Sequence, residues 1–230
     1  MTTKLRKMIP VLAAVAAFML VAASGAQAKL VELTGTSTVT PSPQATKFLA
    51  DNGVSVAATG AATFEEGAFV FPIAGGFGNT RTFSGLLAHN GGLKFTREDR
   101  SFVVRQFVAV RVRGASVLLA QLPGLRGGCG HLKSALTRFG VTLKGAPRKH
   151  PKAHRALVRA ARNYCAGGRV IVLARLTNLG KDVTYNGALL TADLRLSAGA
   201  AKLINRLAGK KAVKAGALLG SAESRAIVVN

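Results

Sequence analysis

Tryptophan is absent from this 230-residue chain, which also has only two tyrosines and two cysteines. Acidic residues are scarce too, because nine Asp and Glu stand against 32 Lys and Arg and give a formal charge of +23. Three familiar catalytic patterns do not occur: GxSxG, HExxH, and a glycine-rich phosphate loop followed by Lys and Ser or Thr. The missing motifs argue against an enzyme. The charge predicts attraction to polyanions.

The first 28 residues have the pattern of a secretory signal peptide. Three basic residues precede an apolar run at positions 8–23, and Ala26, Gln27 and Ala28 form a small-x-small cleavage site. A membrane anchor is the alternative, but the run is short and Pro10 interrupts it. We therefore expect a mature protein that is secreted or associated with the cell envelope. Cleavage after Ala28 removes three of the 32 basic residues and leaves 29 against nine acids, a formal charge of +20.

Residues 69–113 carry the clearest strand pattern. Positions 102–113 alternate in character with a period of two, which predicts a half-buried strand with a basic outer face. The predicted inner side carries Phe102, Val104, Gln106, Val108, Val110 and Val112, and the outer side carries Arg105, Arg111 and Arg113.

Two shorter strands are predicted before it, at residues 82–89 and 93–96. Asn90-Gly91-Gly92 lies between them, and these residues tolerate the positive φ of a tight hairpin. Residues 97–100 then supply a polar turn. The block is predicted as an antiparallel meander.

Two short segments look like copies of one strand-cap-helix unit. VTPSPQATKFL begins at Val39 and LRLSAGAAKLI begins at Leu194. Each has alternating strand residues, a serine that can cap a helix, and apolar residues at helical spacing. Because the match is short, coincidence is the alternative.

Residues 122–168 are the most basic and least strand-like part of the chain. Between Asp99 and Asp182 there are seventeen Lys and Arg and no acidic residue. Two cysteines in an exported chain favour a disulfide, so we expect a bridge between Cys129 and Cys165. Closing a loop of about 35 residues stabilises a fold by roughly 3 to 4 kcal/mol. The segment is therefore predicted as a tethered insertion.

A basic amphipathic helix is predicted within this insertion, at residues 152–163. Such a helix either lies on an anionic surface or packs its apolar side on its own domain. The residues predicted for an anionic surface are Arg148, Lys149, Lys152, Arg155, Arg159 and Arg162.

Metal and nucleic-acid sites are weakly signalled. His150 and His154 share a helix face, and Cys129-x-His131 is half of a metal site, but the surrounding positive charge opposes a cation. Stacking aromatics interleaved with Lys and Arg, typical of sheets that bind nucleic acid, are missing. We expect neither partner.

The segment around His89 resembles a known family. A phenylalanine-rich strand, a glycine turn, and then Gly85–His89 followed by Gly-Gly-Leu and another strand are similar to the haem-transport-associated (HtaA) domain of exported actinobacterial proteins. The family pattern is close to a small residue, His, a small or polar residue, Gly, any residue and Leu. The resemblance covers residues 34–115 and, more loosely, 182–229. The family's opening Trp and Tyr have no counterpart in residues 29–49.

The resemblance implies a β-rich, sandwich-like module that binds haem or a haemoprotein at the cell surface, with a tyrosine as iron ligand and a histidine close by. His89 matches that histidine. On this hypothesis His89 or Tyr185 approaches the iron, and the candidates for holding propionates are Arg81, Lys94 and Arg105. The alternative for His89 is a histidine beside a turn that hydrogen-bonds to backbone.

The sequence thus predicts a mainly β, antiparallel, sandwich-like domain with two or three short helices and a basic, partly helical insertion. The predicted organisation is a signal peptide at 1–28, a β-rich region at 29–121, the insertion at 122–168, and strands with a short helix at 169–230 that complete the same domain. The function implied is non-enzymatic binding of haem. The alternative is a cell-envelope protein that binds anionic wall polymers or lipid headgroups through its insertion.

Overall fold

The computed structural model of the protein describes residues 30–79, 85–112, 115–125, 166–184 and 187–229, together with Gly130 and Tyr164. Within these ranges the chain forms eleven strands and two helices. The strands are β1 (Leu30–Pro41), β2 (Ser55–Thr59), β3 (Thr63–Glu65), β4 (Ala68–Asn79), β5 (Gly85–His89), β6 (Gly92–Arg97), β7 (Arg100–Val112), β8 (Ala115–Leu122), β9 (Arg169–Thr184), β10 (Gly187–Leu196) and β11 (Leu218–Val229). The helices are α1 (Pro43–Asp51) and α2 (Ala198–Ala208).

Eight of the strands close into an antiparallel barrel. The order around the ring is β7, β5, β4, β1, β11, β10, β9 and β8, and β8 pairs back with β7. β6 and β2 extend the sheet from β7, and β3 pairs with β4. The predicted mainly β, antiparallel class is confirmed, but the predicted sandwich is wrong. The pairing of β7 with β8 removes the free edges that a sandwich would leave.

Asn90-Gly91-Gly92 interrupts one long strand and is not the predicted hairpin. β5 and β6 lie end to end, because both pair with β7 and these two described strands do not pair with each other. Gly91 has a φ of +90°, and a side chain there would collide with the backbone of Ala62. Close backbone approach, not a turn, therefore requires this glycine. The polar turn predicted at residues 97–100 is confirmed, since it joins β6 to β7.

β7 does not keep the unbroken alternation that its sequence predicts. Gln106 has a φ of +52°, its N–H donates to the Gly91 carbonyl at 2.9 Å, and the register with β8 shifts beside it. Such a bulge breaks the alternation of the two faces, although Val104, Val108 and Val110 are buried as predicted. Phe107 is therefore buried, and Arg111 lines the barrel interior. The predicted outward position of Arg111 is wrong.

The two strand-cap-helix units are confirmed. Ser42 caps α1 and Ser197 caps α2, and each hydroxyl oxygen accepts from a backbone N–H three residues on, at 3.1 Å in both cases. The same hydroxyls donate to strand carbonyls, from Ser42 to Leu218 and from Ser197 to Val172. The caps thus fix both helices to the sheet. Since β1 and β10 run in the same direction, the helices lie at one end of the barrel.

The two helices share an apolar cluster at that end. Ala200, Ala201 and Ile204 of α2 are buried with Leu196, and Phe48 of α1 packs against the same group. Burying an aliphatic side chain of this size contributes about 1.5 to 3 kcal/mol. The cluster anchors α2 firmly, whereas α1 has no fully buried residue.

Several predictions concern residues outside the described ranges. These are the signal peptide at 1–28 and most of the insertion, with Arg81, Cys129, Arg148, Lys149, Lys152, Arg155, Arg159, Arg162, Cys165 and Tyr185. The signal peptide, the disulfide and the anionic-surface helix accordingly stay predictions. In the described ranges neither helix has the length and apolar character that crossing a bilayer requires.

Candidate functional site

The barrel encloses an apolar lumen of about 810 Å³. All eight barrel strands contribute to its wall, together with β2, β6 and both helices, and its aromatic side chains are Phe48, Phe69, Phe71, Phe95 and Phe107. Phe71 and Phe107 pack edge to face with ring centroids 5.0 Å apart. Cavities of about 300 to 1,000 Å³ with apolar walls are typical of small-molecule sites. The lumen is therefore the candidate binding site.

Ser37, His89 and Ser224 form a polar cluster in the lumen wall. Ser37 Oγ lies 2.7 Å from His89 Nε2 and 2.7 Å from Ser224 Oγ. Ser37 on β1 is directly opposite Ser224 on β11, and β4 separates β1 from the His89 strand. Ser37 is 5% exposed and His89 is 6% exposed. The sheet therefore brings three hydrogen-bonding groups together in an apolar surrounding.

The hydrogen bonds of His89 define its tautomer. Nδ1 lies 3.2 Å from the carbonyl oxygen of Phe107, the residue that follows the bulge at Gln106. Because a carbonyl can only accept, Nδ1 carries the proton of the neutral ring. Nε2 then has a free electron pair and accepts from the Ser37 hydroxyl, while Ser224 donates to Ser37. The bulge in β7 thus positions the carbonyl that orients the imidazole.

Burial keeps His89 neutral. Desolvation lowers the pKa of the imidazole to about 4, and the hydrogen bond to Phe107 opposes this shift only in part. A hydroxyl beside an imidazole has the composition of a nucleophile and its base, but a base with a pKa of about 4 is weak at neutral pH. The cluster is better suited to binding than to catalysis.

Two of the other predicted haem residues, Lys94 and Arg105, lie in the described ranges, and neither joins His89. Lys94 is exposed on β6 and does not line the lumen. Arg105 Nε donates to Gln121 Oε1 at 3.0 Å and its Nη2 to the Gly167 carbonyl at 3.3 Å, also away from the lumen. Tyr164 donates its hydroxyl to the Gln106 carbonyl at 2.7 Å, and burial raises the pKa of that phenol above its usual range. Arg81 and Tyr185 lie outside the described ranges.

Sequence reasoning missed Ser37 and Ser224. They are 52 and 135 residues from His89 along the chain, and each is one serine within an ordinary strand. Their only sequence signal is a polar residue at an inward position, because Ser37 and Val39 both line the lumen from β1. Among the described residues no three His, Cys, Asp or Glu side chains converge as a metal site.

The fold and the cluster define a class: a closed antiparallel barrel whose apolar lumen carries one oriented, neutral histidine. No protein-family model and no curated protein sequence matches the chain. Solved structures do match. The C-terminal domain of HtaA from Corynebacterium glutamicum superposes with a TM-score of 0.55 at 12% identity, over 86% of this chain and 99% of that domain.

Two further structures from the same organism show similar overlap. The N-terminal domain of HtaA has a TM-score of 0.52 at 15% identity and covers 86% of this chain and 98% of the domain. The haem-binding protein HtaB has a TM-score of 0.49 at 9% identity and covers 86% and 95%. The two HtaA domains establish that this chain has the HtaA fold. The resemblance of the His89 segment is thereby confirmed at the level of the fold.

Proposed function

We propose that this chain is a non-enzymatic binding protein whose lumen takes haem, with His89 Nε2 as the protein ligand to the iron. The observation that carries the proposal is the orientation of His89, which lines an apolar lumen with Nδ1–H held by the Phe107 carbonyl and Nε2 facing Ser37. A histidine that ligates a metal needs one deprotonated nitrogen and an acceptor for the other. The HtaA fold and the sequence resemblance at His89 support haem as the molecule bound, with a histidine near the iron.

The residues of the lumen fit an iron porphyrin in size and character. Its volume of about 810 Å³ and its five aromatic side chains suit a large flat ring. When bound, haem would supply an iron centre that takes a nitrogen ligand, and His89 would hold it. No described tyrosine contacts His89, so the imidazole itself would be the ligand, in contrast to the tyrosine that the resemblance implies.

Ser37 must leave Nε2 before a metal can bind there. Ser224 Oγ, 2.7 Å from Ser37 Oγ, provides an alternative acceptor for the Ser37 hydroxyl. The hydroxyl therefore stays satisfied after rotation, which keeps the cost of releasing Nε2 low. The Ser37 hydroxyl thus occupies the hydrogen-bonding position at Nε2 that the iron would take.

We also propose that the mature chain begins after Ala28 and acts outside the cytoplasm, receiving haem free or from a haemoprotein. The signal-peptide pattern at 1–28 supports this location. In the same proposal, residues 29–121 and 169–230 form one domain and residues 122–168 form the insertion tethered by Cys129 and Cys165. No described residue bears on binding of wall polymers by that insertion.

A haemin titration of residues 29–230, followed by visible absorbance, tests the proposal. We expect stoichiometric binding with a Soret band, loss of the axial-imidazole spectrum in His89→Ala, and its restoration by added imidazole. Ser37→Ala should bind haemin more tightly, because no hydroxyl competes for Nε2. Tyr164→Phe and Tyr185→Phe serve as controls and should leave the spectrum unchanged.

Two results would contradict the assignment of His89. One is a Soret band that is identical in His89→Ala and the parent protein. The other is a band altered by Tyr185→Phe alone, which would place the iron near the tyrosine. Thermal unfolding of each variant separates loss of the ligand from loss of the fold, and imidazole rescue is a response that a misfolded variant cannot give.

A further inference from the structure

A basic cleft opens beside the lumen, between α2 and the loop at residues 209–216. The cleft has a volume of about 640 Å³. Five cationic side chains border it, two from the helix and three from the loop: Lys202, Arg206, Lys210, Lys211 and Lys214. All five are exposed. The sequence pattern did not draw attention to them, because the predicted basic surface lay in the insertion.

Hydrogen bonds hold the cleft in shape. Asn205 Oδ1 accepts from the backbone N–H groups of Ala212 and Val213 at 2.9 and 2.8 Å, and its Nδ2 donates to the Val213 carbonyl at 2.9 Å. Gly209 ends the helix with a φ of +70°, and Arg97 donates to the carbonyl of Ala208 there. The loop is thus fixed against α2, and its lysines border the same cleft as the helix cations.

The positive charge of the cleft is not compensated. Ion pairs among the described residues join Lys47 to Asp51, Arg97 to Glu98, and Arg225 to Glu223, and none includes a cleft cation. Like charges brought together on one surface repel each other and create a positive potential that favours anions. An anionic group placed here would relieve that repulsion.

The cleft and the lumen meet at Val213 and Lys214, which border both. Pro41, at the end of β1, lines the same mouth. Ser37 lies four residues earlier on β1, so the polar cluster around His89 is about 13 Å further in at about 3.3 Å per residue. A molecule with an apolar body of that length and an anionic end matches both parts.

We propose that the cleft binds the carboxylate or phosphate groups of an amphiphile whose apolar body occupies the lumen. The inference rests on the proposed binding role of the lumen, but it does not depend on iron or on His89. Two sources supply this chemistry: the propionates of a porphyrin, and the headgroup of a fatty acid or alkyl phosphate. In either case the cleft lysines neutralise the anion at the mouth.

The test compares two triple variants with the same loss of charge. The first removes cleft cations with Lys210→Gln, Lys211→Gln and Lys214→Gln. The control removes exposed cations elsewhere with Arg100→Gln, Arg169→Gln and Arg175→Gln. The probes are iron-free protoporphyrin IX and its dimethyl ester, followed by porphyrin fluorescence, and oleate, followed by isothermal titration calorimetry. Comparison of protoporphyrin with oleate distinguishes the two sources.

For at least one of the two acids we expect binding about tenfold weaker in the cleft variant and within about twofold of the parent in the control. The dimethyl ester should bind both variants alike, since it carries no anion. Equal loss in the two variants, or no loss in either, would overturn the inference.

Because these probes lack iron, the test of the cleft is independent of the test of His89. Loss of the haemin spectrum in His89→Ala, together with weaker binding of an acid in the cleft variant, supports both proposals. An unchanged haemin spectrum with an intact cleft effect removes only the iron assignment.

Discussion

At the scale of single residues, His89 sets the chemistry of the lumen. It is buried, its Nδ1 proton is held by Phe107, and its Nε2 contacts Ser37. Each property follows from a neighbour on a different strand. The imidazole is therefore presented as a neutral ligand with a defined orientation.

The pKa of His89 makes stability depend on pH in a defined window. The folded pKa of about 4 lies below the ordinary value of 6.5. Between these values the unfolded chain binds more protons than the folded chain, so the free energy of unfolding falls as pH falls. We expect the parent protein to lose about 3 kcal/mol more than His89→Gln between pH 7 and pH 4. Denaturant unfolding at several pH values measures both proteins.

Carboxylates titrate in the same range, and the paired comparison cancels their contribution. Parallel pH profiles for the parent protein and His89→Gln would contradict a buried, neutral His89. The same argument predicts that the imidazole stays available to a metal down to about pH 5, well below the pH at which an exposed histidine protonates.

At the scale of elements, β1 carries the site because it lies between two partners. It pairs with β4 on one side and β11 on the other, so Ser37 is placed between the His89 side and Ser224. A bulge beside Gly35 adjusts the register two residues before Ser37. The backbone of β1 is therefore part of the site.

Gly35→Ala tests this dependence on the backbone. Gly35 has a φ of +125°, and a Cβ there would collide with the carbonyl oxygen of Arg225 on β11. We expect a loss of more than about 3 kcal/mol in the free energy of unfolding, because strain and collision act together. Gly67→Ala is the matched control, since its φ is +79° but no atom lies within 4 Å of the added Cβ. That variant should lose only about 1 kcal/mol.

Denaturant midpoints give both values. Similar losses in the two variants would mean that positive φ alone accounts for the loss of stability. The close approach of β11 to Gly35 would then contribute nothing measurable to the free energy of unfolding. A larger loss at Gly35 supports the tight pairing that positions Ser37.

At the scale of the whole molecule, closure of the barrel creates the lumen. β7, β5, β4 and β1 follow one another around the ring and β11, β10, β9 and β8 complete it, so pairing of β1 with β11 joins the first described strand to the last and pairing of β7 with β8 closes the ring. The side chains that line the apolar interior leave a free volume of about 810 Å³. Function at this scale should therefore depend on the free volume of the lumen.

Ala222→Phe fills that volume without adding charge. Ala222 on β11 lines the lumen, whereas the neighbouring Ser221 is exposed and does not. We expect haemin binding to weaken at least about tenfold in Ala222→Phe, while the melting temperature stays within a few degrees because the ring enters an apolar space. Ser221→Phe is the control and should bind as the parent does. Unchanged binding in Ala222→Phe would place the ligand outside the lumen.

Local patterns in the sequence were reliable where neighbours along the chain decide the structure. The capping serines at 42 and 197 were visible because a cap needs only a hydroxyl and a backbone N–H three residues on. The turn at residues 97–100 was visible for the same reason. Asn90-Gly91-Gly92 was wrongly predicted as a hairpin turn. Gly91 is required there because the backbone of the distant Ala62 approaches it closely.

The sequence by itself determined a mainly β chain, two serine-capped helices and a histidine in an HtaA-like segment. Only the tertiary structure decided that the sheet closes, that β7 bulges at Gln106, and that Ser37 and Ser224 meet His89. The physical reason is the range of the interactions. Caps and turns form within a few residues, whereas closure and the polar cluster depend on hydrogen bonds between strands far apart in the chain, whose register no local pattern encodes.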